Sequence, residues 1–264
     1  MKMVFILGSP RTGSTLLYQI MINHFSMIYF NNLTNDEFPL HPSTGLQLSL
    51  DYMSKVEYES RYGKTKGAFG PSEGSAIFSN WFGDTDSFLS DEKRTHMYDT
   101  FRNIDRMSDR PIVMKNLWNY NRIKSIIARF PDAKFVWIQR TLSHAAHSDL
   151  QSRRNKGDMW CWNSAPVPNK QEIQKLHPCE QVVEQQMAYN EIISRELDMY
   201  CEVRNQCHVW YEDLCDDLPF ELNELGIFLG IKPLERVDFF PASKPEPDID
   251  YYSIQNFIQE KYRK

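Results

Sequence analysis

The sequence predicts a three-layer α/β domain with a mostly parallel central sheet flanked by helices, and three observations carry that expectation. An apolar run, Val4-Phe5-Ile6-Leu7, meets a Gly/Pro turn and feeds a helix-compatible run from Leu16 to Ile22. Two more apolar runs of strand length, Ile112 to Met114 and Ala133 to Gln139, lead directly into the cations Lys115 and Arg140. Helix-like stretches stand between the strand candidates, the alternation that builds parallel sheets. The chain has 264 residues, enough for one such domain with a full core, so a single domain over 1–264 is expected.

Taken in order, residues 1–30 read as strand, loop and helix. Residues 31–90 are rich in Asn, Pro, Gly, Ser and aromatics with little clean periodicity, and predict loops and short helices over the sheet. Residues 91–108 look helical and carry charges of both signs, Pro111 to Lys115 is a strand, and Arg122 to Phe130 is helix-like. The turn pair Pro131-Asp132 introduces the strand at Ala133, and a helix is expected to begin near Ser143. Residues 155–178 hold Gly157, Trp160, Trp162, Pro166, Pro168 and Pro178, the composition of a long irregular loop. Cys179 to Tyr200 is a long amphipathic helix. Cys207 begins a short strand-like run through Leu214, followed by helix-core spacing at Leu222, Leu225, Phe228 and Leu229, with Gly230 as a stop. The tail from Pro241 is proline-rich and turns helical from Ser253.

The first turn is the most informative segment. Strand, tight loop and helix together point backbone N–H groups and a helix N-terminus at an anion. In Gly8-Ser9-Pro10-Arg11-Thr12-Gly13-Ser14-Thr15 the glycines have nearly the spacing of the nucleotide-binding P-loop, but Ser14 stands where its lysine should be. The charge has moved into the loop, at Arg11. A triphosphate-cleaving enzyme without that lysine would struggle to neutralise the β- and γ-phosphates. The turn therefore reads as a P-loop-like cradle for a different anion.

This variant resembles the sulfotransferase family, whose loop of this kind holds the 5′-phosphosulfate of 3′-phosphoadenosine 5′-phosphosulfate (PAPS). The resemblance implies cofactor contacts from Pro10, Arg11, Thr12, Gly13, Ser14 and Thr15. It extends to Arg140 and Ser148, whose eight-residue separation is similar to the family's 3′-phosphate site. An arginine suits that task because its planar fork can donate two charge-assisted hydrogen bonds to one phosphate. Tyr211, in Tyr-Glu-Asp-Leu, resembles the family tyrosine near the adenine, and Phe228-Leu229-Gly230 resembles the family's helix end. The implied cofactor half is 1–30, 111–154 and 207–230, with the acceptor side at 31–90 and 155–178. PAPS would be the donor and adenosine 3′,5′-bisphosphate (PAP) the product.

Sulfuryl transfer is an in-line displacement that needs donors at the bridging oxygen and a base for the acceptor. Arg11 and Lys115 are expected to serve the transfer, Lys115 matching the family's strand-end lysine. Neither family base carries over: Leu117 stands where cytosolic members have histidine, and Asn31 and Asn32 where tyrosyl-protein members have Glu-Glu. The candidate bases are Glu73, in Gly70-Pro71-Ser72-Glu73-Gly74, then His41, then Glu37, with Asp36 the remaining acid of the region. Phe38, Phe69, Phe78, Trp81, Phe82, Trp160 and Trp162 predict an aromatic-walled acceptor pocket. The reading is a sulfotransferase moving the sulfuryl group from PAPS to a hydroxyl or amine of a small organic acceptor. Two alternatives stand beside it, a nucleotide-dependent phosphotransferase and a nonenzymatic PAP/PAPS-binding protein.

Composition narrows the remaining classes. A net charge of -5 without a Lys/Arg-rich run argues against nucleic acid as a partner. With 41% hydrophobic and 25% charged residues, the chain has the composition of a soluble globule. No apolar stretch approaches the ~20 residues of a membrane span. The five cysteines, an odd total without a C-x-x-C pair, predict reduced thiols in a cytoplasm. The seven histidines show no metal-ligand spacing, so no metal is expected.

Overall fold

The computed structural model describes residues 2–53, 56–58, 60–61, 64–234 and 242–262. β1 (Met3–Leu7) is buried at all five positions, as a strand covered on both faces must be. Its chain enters α1 (Ser14–Phe25) and then the two-residue strand β2 (Ile28–Tyr29). Next come the short helices α2 (Asn32–Glu37) and α3 (Pro42–Ser49), and a hairpin of β3 (Ser60–Arg61) and β4 (Lys64–Thr65). α4 (Ser75–Phe82) and α5 (Asp91–Met107) precede β5 (Ile112–Lys115), and α6 (Ile123–Arg129) precedes β6 (Lys134–Gln139). α7 (Leu142–Asn155), the single-turn α8 (Lys170–Ile173) and the long α9 (Pro178–Tyr200) lead to β7 (Gln206–Trp210). α10 (Tyr211–Asp216), α11 (Leu218–Leu229) and α12 (Ile249–Tyr262) complete the chain.

The central sheet has the order β2-β5-β1-β6-β7 and every pairing in it is parallel. Alternation along β1 sorts the two cores. Met3, Phe5 and Leu7 pack with α4, α5, α6 and α9 on one face; Val4 and Ile6 pack with α1, α10 and α11 on the other. A third, smaller cluster joins α7, α9 and α12 through Ala146, Leu150, Val182, Val183 and Ile254. Helices on one face, the parallel sheet, and helices on the other face are the three layers the sequence predicts.

The register fixes the working edge. Ile6 lies opposite Lys115 of β5, and Leu7 opposite Trp137 of β6. The loop after β1 thus emerges between the C-terminal ends of its two neighbours. From there the chain crosses to β5 and β2 on one side and to β6 and β7 on the other, the switch-point arrangement at which open α/β sheets bind ligands.

Several elements differ from the sequence reading for identifiable reasons. β2 is too short to leave a periodic signal. β7 ends at Trp210, so Tyr211 begins a helix instead of closing the strand. α12 starts at Ile249, where Asp248 accepts from the Tyr251 amide at 2.8 Å and caps it. The aromatic-walled pocket is not formed by Phe78, Trp81 and Phe82, which are at most 1% exposed: Phe78 and Trp81 pack with Phe30 and Phe101 in the core, and Phe82 stacks on Phe88. A helix with aromatics at i, i+3 and i+4 buries them together, and that packing takes precedence.

Candidate active site

The loop from Gly8 to Gly13 holds a conformation few sequences tolerate. Arg11 has φ 69° and Gly13 φ 92°, both in the left-handed region. Gly13 is doubly required, because a Cβ there would overlap the ring of Tyr211. Thr12, 1% exposed, turns inward and donates to the Ser9 carbonyl at 2.8 Å, while Gln186 of α9 donates to the Pro10 carbonyl at 2.9 Å. So braced, the loop presents the first turn of α1 to the cleft. Ser14, Thr15 and Leu16 line it, no side chain caps the helix, and no acid occupies its first turn.

Arg11, Arg140 and Ser148 converge although 137 residues separate the first from the last. Arg11 Nε donates to Ser148 Oγ at 3.2 Å, and Arg140 Nη1 donates to the Arg11 carbonyl at 3.1 Å. Arg140 lies over the Tyr211 ring, 4.3 Å from its centroid, and donates through Nη2 to the Ser243 carbonyl. Tyr211 Oη in turn accepts from the Ser243 amide at 3.1 Å. Tyr211 therefore supports Arg140 and Gly13, and 7% of it is exposed. Burial lowers the Arg140 pKa from its ordinary value, with Tyr211 and Glu212 opposing that shift. Arg140 Nε is buried and makes no hydrogen bond within the chain.

On the opposite side, Lys115 at the end of β5 is 3% exposed and forms an ion pair with Glu73 Oε1. Three contacts fix the Glu73 loop. The Ser72 amide donates to the Phe30 carbonyl at 2.7 Å, Tyr18 Oη donates to the Ser72 carbonyl at 3.2 Å, and Asn116 Nδ2 donates to the Glu73 carbonyl at 3.1 Å. A lysine this buried would be costly without its carboxylate. His41 stands elsewhere: it is exposed, it starts α3, and it is not among the residues lining the cleft.

These groups share one cleft of about 1070 Å³, which takes in Pro10, Arg11, Gly13, Ser14, Thr15, Glu73, Lys115, Arg140, Ser148 and Tyr211. Its far half is bounded by α2, the β3–β4 hairpin and the segment after α7. Sequence reasoning missed Ser243, for which the sequence holds no local signal, and the buried pair Asp149–Arg153. Those two side chains are fully buried, with Nε to Oδ2 at 3.3 Å, and Asn163, Gln181 and Gln185 complete their hydrogen bonding. Their i,i+4 spacing on one helix was the available signal. Among the described residues, no group of three or more His, Cys, Asp or Glu could hold a metal ion, and no helix is long and apolar enough to cross a membrane.

A P-loop-like turn at a switch point, flanked by a cation at each neighbouring strand end, is an arrangement with which α/β folds hold anionic groups. The sequence matches the sulfotransferase family model over residues 3–235, and the chain belongs to that family. It is thus an enzyme of sulfuryl transfer from a PAPS-type donor. Its fold is shared with sulfotransferase STF9 from Mycobacterium avium, at a TM-score of 0.55 and 11% identity over 100% of this chain and 69% of that one. A sulfotransferase from Alicyclobacillus acidocaldarius matches at a TM-score of 0.53 and 15% identity, over 98% of this chain and 92% of that one. The sulfotransferase domain of the curacin biosynthetic pathway matches at 0.50 and 16%, over 98% and 97%. No curated protein sequence matches this chain closely enough to count as a relative.

Proposed function

We propose that this chain binds PAPS with its 5′-phosphosulfate on the loop Pro10–Thr15 and its 3′-phosphate between Arg140 and Ser148, and transfers the sulfuryl group to a hydroxyl of a small acceptor. The observation that carries the reading is the convergence of Arg11, Arg140 and Ser148 at the loop that leads into an uncapped helix N-terminus. Bound there, the donor supplies a sulfuryl group whose bond to the 5′-phosphate oxygen breaks as the acceptor oxygen attacks sulfur. Arg11 and the amides of Gly13, Ser14 and Thr15 stabilise the negative charge that collects on that phosphate. Lys115 stands on the opposite side of the transfer and orients Glu73, whose carboxylate takes the acceptor proton. Tyr211 holds Arg140 in place and closes the adenosine end together with Ser243.

The test is selective stabilisation. PAP should raise the melting temperature, by about 2.7 kcal/mol of linkage at a hundredfold excess over Kd, whereas ATP·Mg²⁺ should do so far less. Arg140→Ala should weaken PAP by roughly 1.5–3 kcal/mol and leave adenosine 5′-phosphosulfate nearly unaffected, since that ligand lacks the 3′-phosphate. Equal stabilisation by ATP and PAP, or none by PAP, would return the phosphotransferase reading or remove the nucleotide site.

A further inference from the structure

The acceptor half of the cleft has a chemistry of its own, and assigning an acceptor class to it rests on the sulfotransferase reading. Away from Arg140 the walls present amide, carboxylate and hydroxyl groups, Asn35, Asp36 and Glu37 along α2, Ser60 on the hairpin, Ser75 at the start of α4 and Ser152 on α7, between the aliphatic Leu33, Pro71 and Leu117. The sequence holds 16 Phe, 13 Tyr and 6 Trp. Yet Tyr211, at the nucleotide end, is the one aromatic among the described residues that line the cleft. A phenol or other flat aromatic acceptor would find no aromatic wall to cover it. It would also strip water from polar groups without replacing their hydrogen bonds, an unfavourable exchange.

A molecule covered with alcohol groups makes the opposite exchange. Each alcohol both donates and accepts, as serine hydroxyls do, and asparagine amides offer both functions side by side. The ion-paired carboxylate of Glu73 favours an oxygen acceptor too, because an alcohol must lose its proton as it attacks. We propose that the acceptor is a polyhydroxylated molecule of the sugar or polyol class, presenting one hydroxyl to Glu73 and the rest to α2, Ser75 and Ser152. In the transfer the acceptor O–S bond forms while the S–O bond to the 5′-phosphate breaks. The hydroxyl proton passes to Glu73, and PAP leaves with the bonding electron pair.

The experiment offers the full-length protein PAPS with methyl glucoside, trehalose or glucosamine, beside 4-nitrophenol and 2-naphthol, and measures PAP release. Saturation-transfer NMR on the PAP-loaded protein reads acceptor binding independently of turnover. The best sugar should exceed either phenol in kcat/KM by at least about tenfold, the sense of discrimination expected when a site built for hydroxyls meets a compound lacking them. Ser75→Phe, at an exposed helix start, should keep the PAP-induced thermal shift, lower sugar turnover about tenfold and raise phenol turnover. Preference for the phenols, an unchanged preference in Ser75→Phe, or neither turnover nor saturation transfer with any sugar overturns the acceptor class. In each of those cases a persisting PAP shift leaves the sulfotransferase reading intact. Absence of the PAP shift removes that reading, and the acceptor class with it.

Discussion

At the scale of single residues, the Lys115–Glu73 pair concentrates the chemistry. Glu73, a quarter exposed, neutralises the buried Lys115, and in the proposed reaction its carboxylate stands where a proton must move. Glu73→Gln keeps the size and the hydrogen-bonding capacity but cannot take a proton at neutral pH. It should lower kcat by about a hundredfold or more, the usual contribution of a positioned base. Lys115→Met should lower kcat comparably, and PAP affinity, read from the thermal shift, should change little in both variants. A normal kcat with only a raised KM would show that the pair binds the acceptor and takes no part in transfer. The strand-end lysine and the loop glutamate were legible in the sequence because each sits in a local pattern: a charge straight after three apolar residues, and an acid within a Gly/Pro turn. Their contact was not legible, since 42 residues and two helices separate them.

At the scale of elements, the β1–α1 turn carries the most constraint per residue. Arg11 and Gly13 both occupy the left-handed region, and Tyr211 arrives from α10 to pack against Gly13. Gly13→Ala would combine backbone strain with a steric conflict at the ring. It should cost about 1–3 kcal/mol of stability and abolish the PAP-induced rise in melting temperature. An undiminished PAP shift in this variant would mean that the loop amides do not hold the donor. This element was almost fully readable from the sequence, because a strand, a turn and a helix N-terminus are local structures. The acceptor walls were not. The aromatics of residues 69–82 suggested a pocket, but α4 turns Ile77, Phe78, Trp81 and Phe82 toward the core, and the cleft receives serines, asparagines and acids beside the aliphatic Leu33, Pro71 and Leu117.

At the scale of the whole molecule, the helices behind the cleft are tied together by a buried ionic network, Asp149–Arg153 on α7 with Gln181 and Gln185 on α9. Burial raises the Asp149 pKa above the ordinary carboxylate value, and Arg153 opposes that rise. A carboxyl whose folded pKa is raised contributes most stability at low pH, and that contribution is lost as pH rises through the folded value. Arg153→Met should cost about 3–5 kcal/mol at neutral pH, because it leaves the buried Asp149 without its cation. The loss should shrink as pH is lowered through the folded Asp149 value, which lies above the ordinary aspartate range and rises further without Arg153. Urea unfolding at pH 7 and pH 5 measures this, and a loss independent of pH would show that Asp149 is neutral throughout. The sequence by itself determined the layered α/β class, the P-loop-like turn and the identities of the cations at the strand ends. Those features depend on periodicity, turn chemistry and charge placed directly after apolar runs, all of which act over a few residues. Only the tertiary structure decided which acid meets Lys115, that Tyr211 braces Arg140, that His41 stands apart from the cleft, and that Tyr211 is the one aromatic among the described residues lining it. Each of these is a contact between segments far apart in the chain, fixed by parallel strand register and by which helix faces the core claims first.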